Sequence, residues 1–152
     1  MPSISSSPPN GPAWTEKVLP TRLDIIHDSV GEVLDRLHEL GYEEDQCFAV
    51  RLALEEALVN AMKHGNRMDP ALHVALTYRV TAEKAEIRVR DEGGGFDPGV
   101  VPDPTSEENL RKPCGRGIML IRSYMDEVAY SCSGREVCMV KHRQPRNQGG
   151  KP

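Results

Sequence analysis

The chain has 152 residues, a formal net charge of −4 and an apolar fraction of 38%. That length makes one domain with room for a real core. The acidic balance, with no basic block, gives nucleic-acid binding no electrostatic support, and no apolar run approaches the length of a membrane span.

Residues 1–13 are rich in Ser and Pro and are expected to be a disordered tail. The N-terminus lacks the basic-then-apolar pattern of a secretory signal. Cys47, Cys114, Cys132 and Cys138 show no C-x-x-C spacing, which argues against a zinc site. They read as reduced thiols of a cytoplasmic protein. Residues 14–142 are expected to form the domain, and 143–152 a flexible C-terminal tail.

Residues 14–19 read as a short edge strand that Pro20 stops. Residues 23–40 have helical spacing, with Ile26, Val30, Val33, Leu34 and Leu37 on one side. Asp24 and Asp28 sit early in that helix, where its dipole favours acids, and Gly41 ends it. His27 and Asp28 read as exposed helix residues rather than a phosphoacceptor pair.

A second helix is expected from about 46 to 64, capped by Asp45. Val50, Leu54, Ala57, Leu58 and Ala61 fall on its core stripe. Glu56, Asn60 and His64 follow one another at i, i+4 and i+8 along the shoulder of that stripe. A carboxylate and an amide one turn apart can therefore reach into one cavity. Gly65 ends the helix, and Met68-Asp69-Pro70 is a turn.

Residues 72–80 alternate, with Leu72, Val74, Leu76 and Tyr78 pointing one way. Residues 85–90 place Ala85, Ile87 and Val89 on one face. The short link between the two makes them an antiparallel hairpin. It delivers the chain to Asp91-Glu92-Gly93-Gly94-Gly95-Phe96. Three glycines after a strand mark unusual backbone dihedrals or a ligand's close approach. Residues 97–113, with four prolines and little periodicity, read as a lid or binding loop. Arg111 and Lys112 near its end are candidate phosphate partners. Gly115-Arg116-Gly117 then opens a short helix over 118–124, whose first N–H groups can face an anion. Met119, Leu120 and Met125 supply its buried side. Residues 126–130 and 136–141 read as two strands around a turn at 133–135.

Three boxes stand out in order: Glu56-Ala57-x-x-Asn60-Ala61-x-x-His64-Gly65, then Arg90-Asp91-x-Gly93-x-Gly95, then Gly115-x-Gly117 leading to Met125-Asp126-x-Val128. Together they resemble the N, G1 and G2 boxes of the Bergerat-fold ATPase superfamily of gyrase B and histidine kinases. Within it they most resemble the anti-sigma-factor serine/threonine kinases, over roughly residues 18–142. No G-x-x-x-x-G-K-[ST] phosphate loop and no signature of eukaryotic-type protein kinases is present.

The resemblance implies an α/β two-layer sandwich, with a mixed, mostly antiparallel sheet covered on one face by helices. It implies ATP and Mg2+ as cofactors. Asn60 would hold Mg2+ through its amide oxygen, since Mg2+ takes few protein ligands beside phosphate and water oxygens. Glu56 would be the general base that accepts the proton of an attacking hydroxyl. Glu55 is rejected for that role, being about 100° around the helix and off the Asn60 line. Asp91 would accept a hydrogen bond from the adenine amino group, and Gly93 and Gly95 would leave room for the base. Lys63 and His64 of the N box join the nucleotide-binding set. The backbone from Gly115 through Arg116 and Gly117 to Ile118 would cradle the phosphates, with Arg111 and Lys112 offsetting charge. One departure concerns the lid. Pro113 stands where related kinases often carry an Arg, with Arg111 and Lys112 just upstream.

The function so implied is phosphorylation of a STAS-type anti-anti-sigma protein by a dimeric kinase that also binds a sigma factor. Two alternatives keep the same boxes: a nucleotide-loaded module that sequesters a partner without transferring phosphate, and the detached catalytic module of a histidine kinase. The second lacks support from any helical-hairpin dimerisation segment.

Overall fold

The computed structural model of the chain describes residues 13–93, 120–131 and 135–143. Its elements are β1 (Thr15–Pro20), a 3-10 turn (Leu23–Ile25), α1 (Ile26–Glu39), α2 (Glu44–Val59), a π-helical turn (Asn60–Gly65), β2 (His73–Val80), β3 (Lys84–Arg90), β4 (Glu127–Ser131) and β5 (Glu136–His142). Residues 120–124 are also helical.

The strands form one sheet in the order β1-β2-β3-β5-β4. Every pair among the described strands is antiparallel, where the sequence reading allowed a mixed sheet. β1 is an edge strand as expected. It runs on through Pro20, which lies opposite His73, and an edge position tolerates a residue that cannot donate.

Strict alternation builds the sheet's inner face: Val74, Leu76, Tyr78 and Val80 on β2, and Ala85, Ile87 and Val89 on β3, are buried. Leu72 falls just ahead of the strand. Ile26, Val30, Val33 and Leu37 of α1 and Val50, Ala53, Leu54, Ala57 and Leu58 of α2 are buried in the same core. Ile121 and Met125 close it beside the helical residues 120–124. Each fully buried aliphatic side chain here contributes about 1.5–3 kcal/mol.

The helix ends differ in part from expectation. Gly41 closes α1 with φ +82°, the left-handed conformation that glycine adopts at no steric cost. The start of α2 is fixed by Glu43 rather than Asp45. Glu43 and Gln46 form a capping box, in which the Glu43 N–H donates to Gln46 Oε1 at 3.1 Å. Gln46 also donates to the carbonyl of His142 at 3.0 Å, tying the head of α2 to the end of β5. His27 and Asp28 are exposed. The guanidinium groups of Arg79 and Arg88 both lie over the Trp14 ring, at 4.6 and 4.5 Å from its centre.

No helix among the described residues is long and apolar enough to cross a membrane. Cys47 is a buried free thiol, whereas Cys114 and Cys132 lie outside the described residues, as do the tails at 1–12 and 144–152.

Candidate functional site

The site is built where the second helix ends. The α-helical spacing that lines up Glu56 and Asn60 holds to Val59, and from Asn60 to Gly65 the turn is π-helical. The Asn66 N–H consequently reaches back five residues, to the carbonyl of Ala61 at 2.7 Å. A π turn takes an extra residue, so His64 does not continue the i, i+4 line through Glu56 and Asn60. Such turns concentrate at functional sites. Glu56 and Asn60 are half-buried, and Lys63 and His64 are exposed.

Gly65 ends this turn, but not through a left-handed backbone. The positive φ values fall two and three residues later, at Arg67 (53°) and Met68 (58°), where the chain reverses toward β2. Gly65 is required for another reason. A Cβ there would collide with the carboxylate of Asp91, and a Cβ on Gly93 would collide with the carbonyl of Gly65. The N box and the G1 box therefore touch through atoms that only glycine leaves free.

Asp91 is buried, at 7% exposure. Its Oδ1 accepts from the Gly93 N–H at 2.9 Å. Burial pushes its carboxyl above the usual Asp range, against the opposing pull of the Gly93 hydrogen bond and of Arg135 and Arg90. Asn60 contributes a second buried oxygen. Its Oδ1 has no hydrogen-bond partner among the described residues. An unpaired amide oxygen costs free energy to bury, and it is a donor atom suited to a hard cation such as Mg2+.

Two hollows flank the contact between the boxes. One, of about 370 Å3, is lined by His64, Gly65, Asn66, Arg67, Asp69, Leu72 and Gly93, a volume within the range of small-molecule sites. The other, of about 410 Å3, is lined by Asp91 and Glu92 with Val18, His73, Ala75, Arg90 and Arg135. Glu56 and Asn60 line neither of these two. The described structure thus joins the N box to the G1 box through Gly65, with His64 and Gly93 lining the same hollow. Gly95, Arg111, Lys112, Gly115, Arg116, Gly117 and Ile118 lie outside the described residues.

One buried polar residue at this junction was given no role in the sequence reading. Asn66 is 1% exposed. Its amide nitrogen donates to Thr21 Oγ1 at 2.9 Å and to the His73 carbonyl at 3.0 Å, while its Oδ1 accepts from the Glu92 N–H at 2.8 Å. Arg67, which lines the first hollow, was also missed. The signal available was a polar pair directly after a helix-ending glycine, and it looks like any surface turn.

An antiparallel sheet with helices packed on one face, and a helix end locked to a glycine-rich strand exit, define the class of ATPase domains related to histidine kinases. A model of the family described as histidine kinase-like ATPase domain matches residues 19–141. Serine-protein kinase RsbW of Bacillus subtilis (strain 168) is 29% identical over 136 residues, covering 81% of this chain and 79% of that protein. Serine-protein kinase RsbW of Bacillus licheniformis is 31% identical over 110 residues, covering 68% and 69%. Among solved structures, a crystal structure of the RsbU and RsbW domains of a Mycobacterium tuberculosis protein superposes with a TM-score of 0.56 at 13% identity. That likeness shows the fold alone. It covers 88% of this chain and 34% of the longer one. The chain belongs to the histidine kinase-like ATPase domain family and, within it, to the RsbW-type serine-protein kinases.

Proposed function

We propose that the chain is an ATP-dependent serine/threonine kinase that acts as an anti-sigma factor in a partner-switching pathway. Its substrate would be a small STAS-type antagonist protein, and its other partner a sigma factor. It would work as a cytoplasmic homodimer. The observation that carries the reading is the contact of Gly65 with Asp91 and Gly93, one helical turn from the Asn60 oxygen that has no partner among the described residues.

In this reading Asp91 accepts a hydrogen bond from the adenine amino group, Gly93 leaves room for the base, and Gly65 lets the Asp91 carboxylate approach. Asn60 holds Mg2+ through Oδ1, and the ion, when bound, neutralises charge on the phosphates. Glu56, one turn N-terminal to Asn60, takes the proton of the attacking serine or threonine hydroxyl. Lys63, His64, Arg111 and Lys112, with the backbone from Gly115 through Arg116 and Gly117 to Ile118, hold the phosphates. Gly95 gives the base further room. Transfer then depends on positioning and charge stabilisation rather than on a covalent enzyme intermediate.

The test is transfer of labelled γ-phosphate from ATP to a STAS protein encoded beside this chain. Acid-stable phosphoserine or phosphothreonine on that protein supports the reading. Tight ATP binding with no transfer, and cellular function unchanged by Glu56→Gln, would mark a sequestering module. Acid-labile phosphohistidine would mark a histidine kinase module.

A further inference from the structure

We infer that Asn66 is a positioning residue that sets nucleobase selectivity by fixing the direction in which Asp91 presents its carboxylate; this rests on the reading of the site as an ATP pocket. Both peptide groups that flank Asp91 are held from outside its own strand. The Asp91 N–H donates to the Arg135 carbonyl at 2.9 Å. The next N–H, that of Glu92, donates to Asn66 Oδ1 at 2.8 Å. With both peptide planes fixed, the Cα–Cβ bond of Asp91 has one direction.

Asn66 can serve as that anchor because its own amide is fully committed. Its two N–H groups go to Thr21 Oγ1 and the His73 carbonyl. Thr21 in turn donates to the Leu72 carbonyl at 2.6 Å, which leaves its oxygen free to accept from Asn66. A flipped amide would face its nitrogen to the Glu92 N–H and its oxygen to a carbonyl, so only one orientation satisfies all three partners. The Glu92 carboxylate supplies a second link, accepting from the His73 N–H at 2.7 Å. The strand exit that carries Asp91 is thereby pinned to the entry of β2.

Removal of the Asn66 side chain releases the Glu92 N–H, and the aim of the Asp91 carboxylate then rests on the Arg135 carbonyl, the Gly93 N–H and the Glu92 carboxylate alone, which hold it less tightly. A hydrogen bond that depends on aim weakens, while contacts to the phosphates do not. ATP carries an amino group at the purine 6-position, and inosine triphosphate carries a carbonyl there. The ratio of their affinities therefore isolates the Asp91 contact from general damage.

Equilibrium binding of ATP and inosine triphosphate to the full chain, with thermal melting of each variant, tests this. The wild-type chain is expected to favour ATP. Asn66→Ala is expected to lower the ATP-to-ITP affinity ratio on the order of tenfold, with ITP affinity unchanged. Thr21→Val, which keeps the shape and cuts one of the two amide anchors, is expected to lower it about two- to threefold. In an Asp91→Asn background, Asn66→Ala is expected to change the ratio no further, since it acts through Asp91. A selective wild-type chain whose selectivity survives Asn66→Ala overturns this inference alone. An equal loss of affinity for both nucleotides, or a failure of both Asn66→Ala and Thr21→Val to fold, assigns Asn66 to stability and overturns it as well. A wild-type chain that binds ATP without preferring it to ITP, or binds neither, overturns the reading of the pocket and this inference with it.

Discussion

The carbonyl oxygen of Gly65, the last residue of the π turn, occupies the space in which Gly93 would carry a side chain. The atoms on either side of that contact are backbone, so neither can swing away. Gly93→Ala should therefore destabilise the protein by about 1–3 kcal/mol, as overpacking does, and should weaken ATP binding in the fraction that folds. Thermal melting and ATP titration measure the two effects. A Gly93→Ala protein with wild-type melting and binding would mean that the two boxes do not need to touch.

The buried oxygen of Asn60 separates stability from binding. Asn60→Ala removes a buried polar atom that has no partner among the described residues, so the ligand-free protein should melt at the wild-type temperature or slightly above it. Mg2+-dependent ATP binding should be lost. Titration with ATP in the presence and absence of Mg2+ checks this, and undiminished Mg2+ dependence would remove Asn60 as the metal ligand.

Asp91 makes the site sensitive to acid. Burial raises its carboxyl above the ordinary value of 3.8, so it takes up a proton at a higher pH than an exposed aspartate does. A protonated carboxyl no longer accepts freely from the adenine amino group. ATP affinity should fall as pH drops through the raised pKa, and Asp91→Asn should abolish that step. Stability runs the other way. Between 3.8 and the raised pKa the folded chain holds a proton that the unfolded chain has released, so the Asp91 contribution to stability falls as pH rises through that window. Paired pH series of ATP affinity and of melting, for wild type and Asp91→Asn, measure both signs.

Glu56 should matter for transfer and not for binding. Glu56→Gln keeps the shape of a half-buried side chain and removes its basicity. ATP affinity should stay within about twofold, while phosphate transfer falls by about 10²–10⁴, the range of a lost general base. A variant that transfers phosphate at the wild-type rate would return the role to Glu55 or to water.

Much of the fold was legible because its signals are local. Alternation at Val74, Leu76 and Tyr78, and again at Ala85, Ile87 and Val89, set the two central strands and their inner face. Spacing set the buried stripe of α1, and Gly41 its end. Segments such as Asp91-Glu92-Gly93 and Glu56 to Gly65 could be recognised as boxes because their spacing is short. Tertiary structure decided the rest. Gly65 looked like a helix terminator, yet it is needed because Asp91 arrives against it from 26 residues away. Asn66, just past the helix-ending glycine, carried no signal in the sequence, yet it is the most deeply buried polar side chain described. The π turn at Asn60–Gly65 has no periodicity that a stripe of apolar residues would reveal. Sequence spacing reports which residues share a face of one element. Which elements then meet, and which backbone atoms must approach closely enough to exclude a Cβ, is fixed only when the packed core holds the helix end against the sheet.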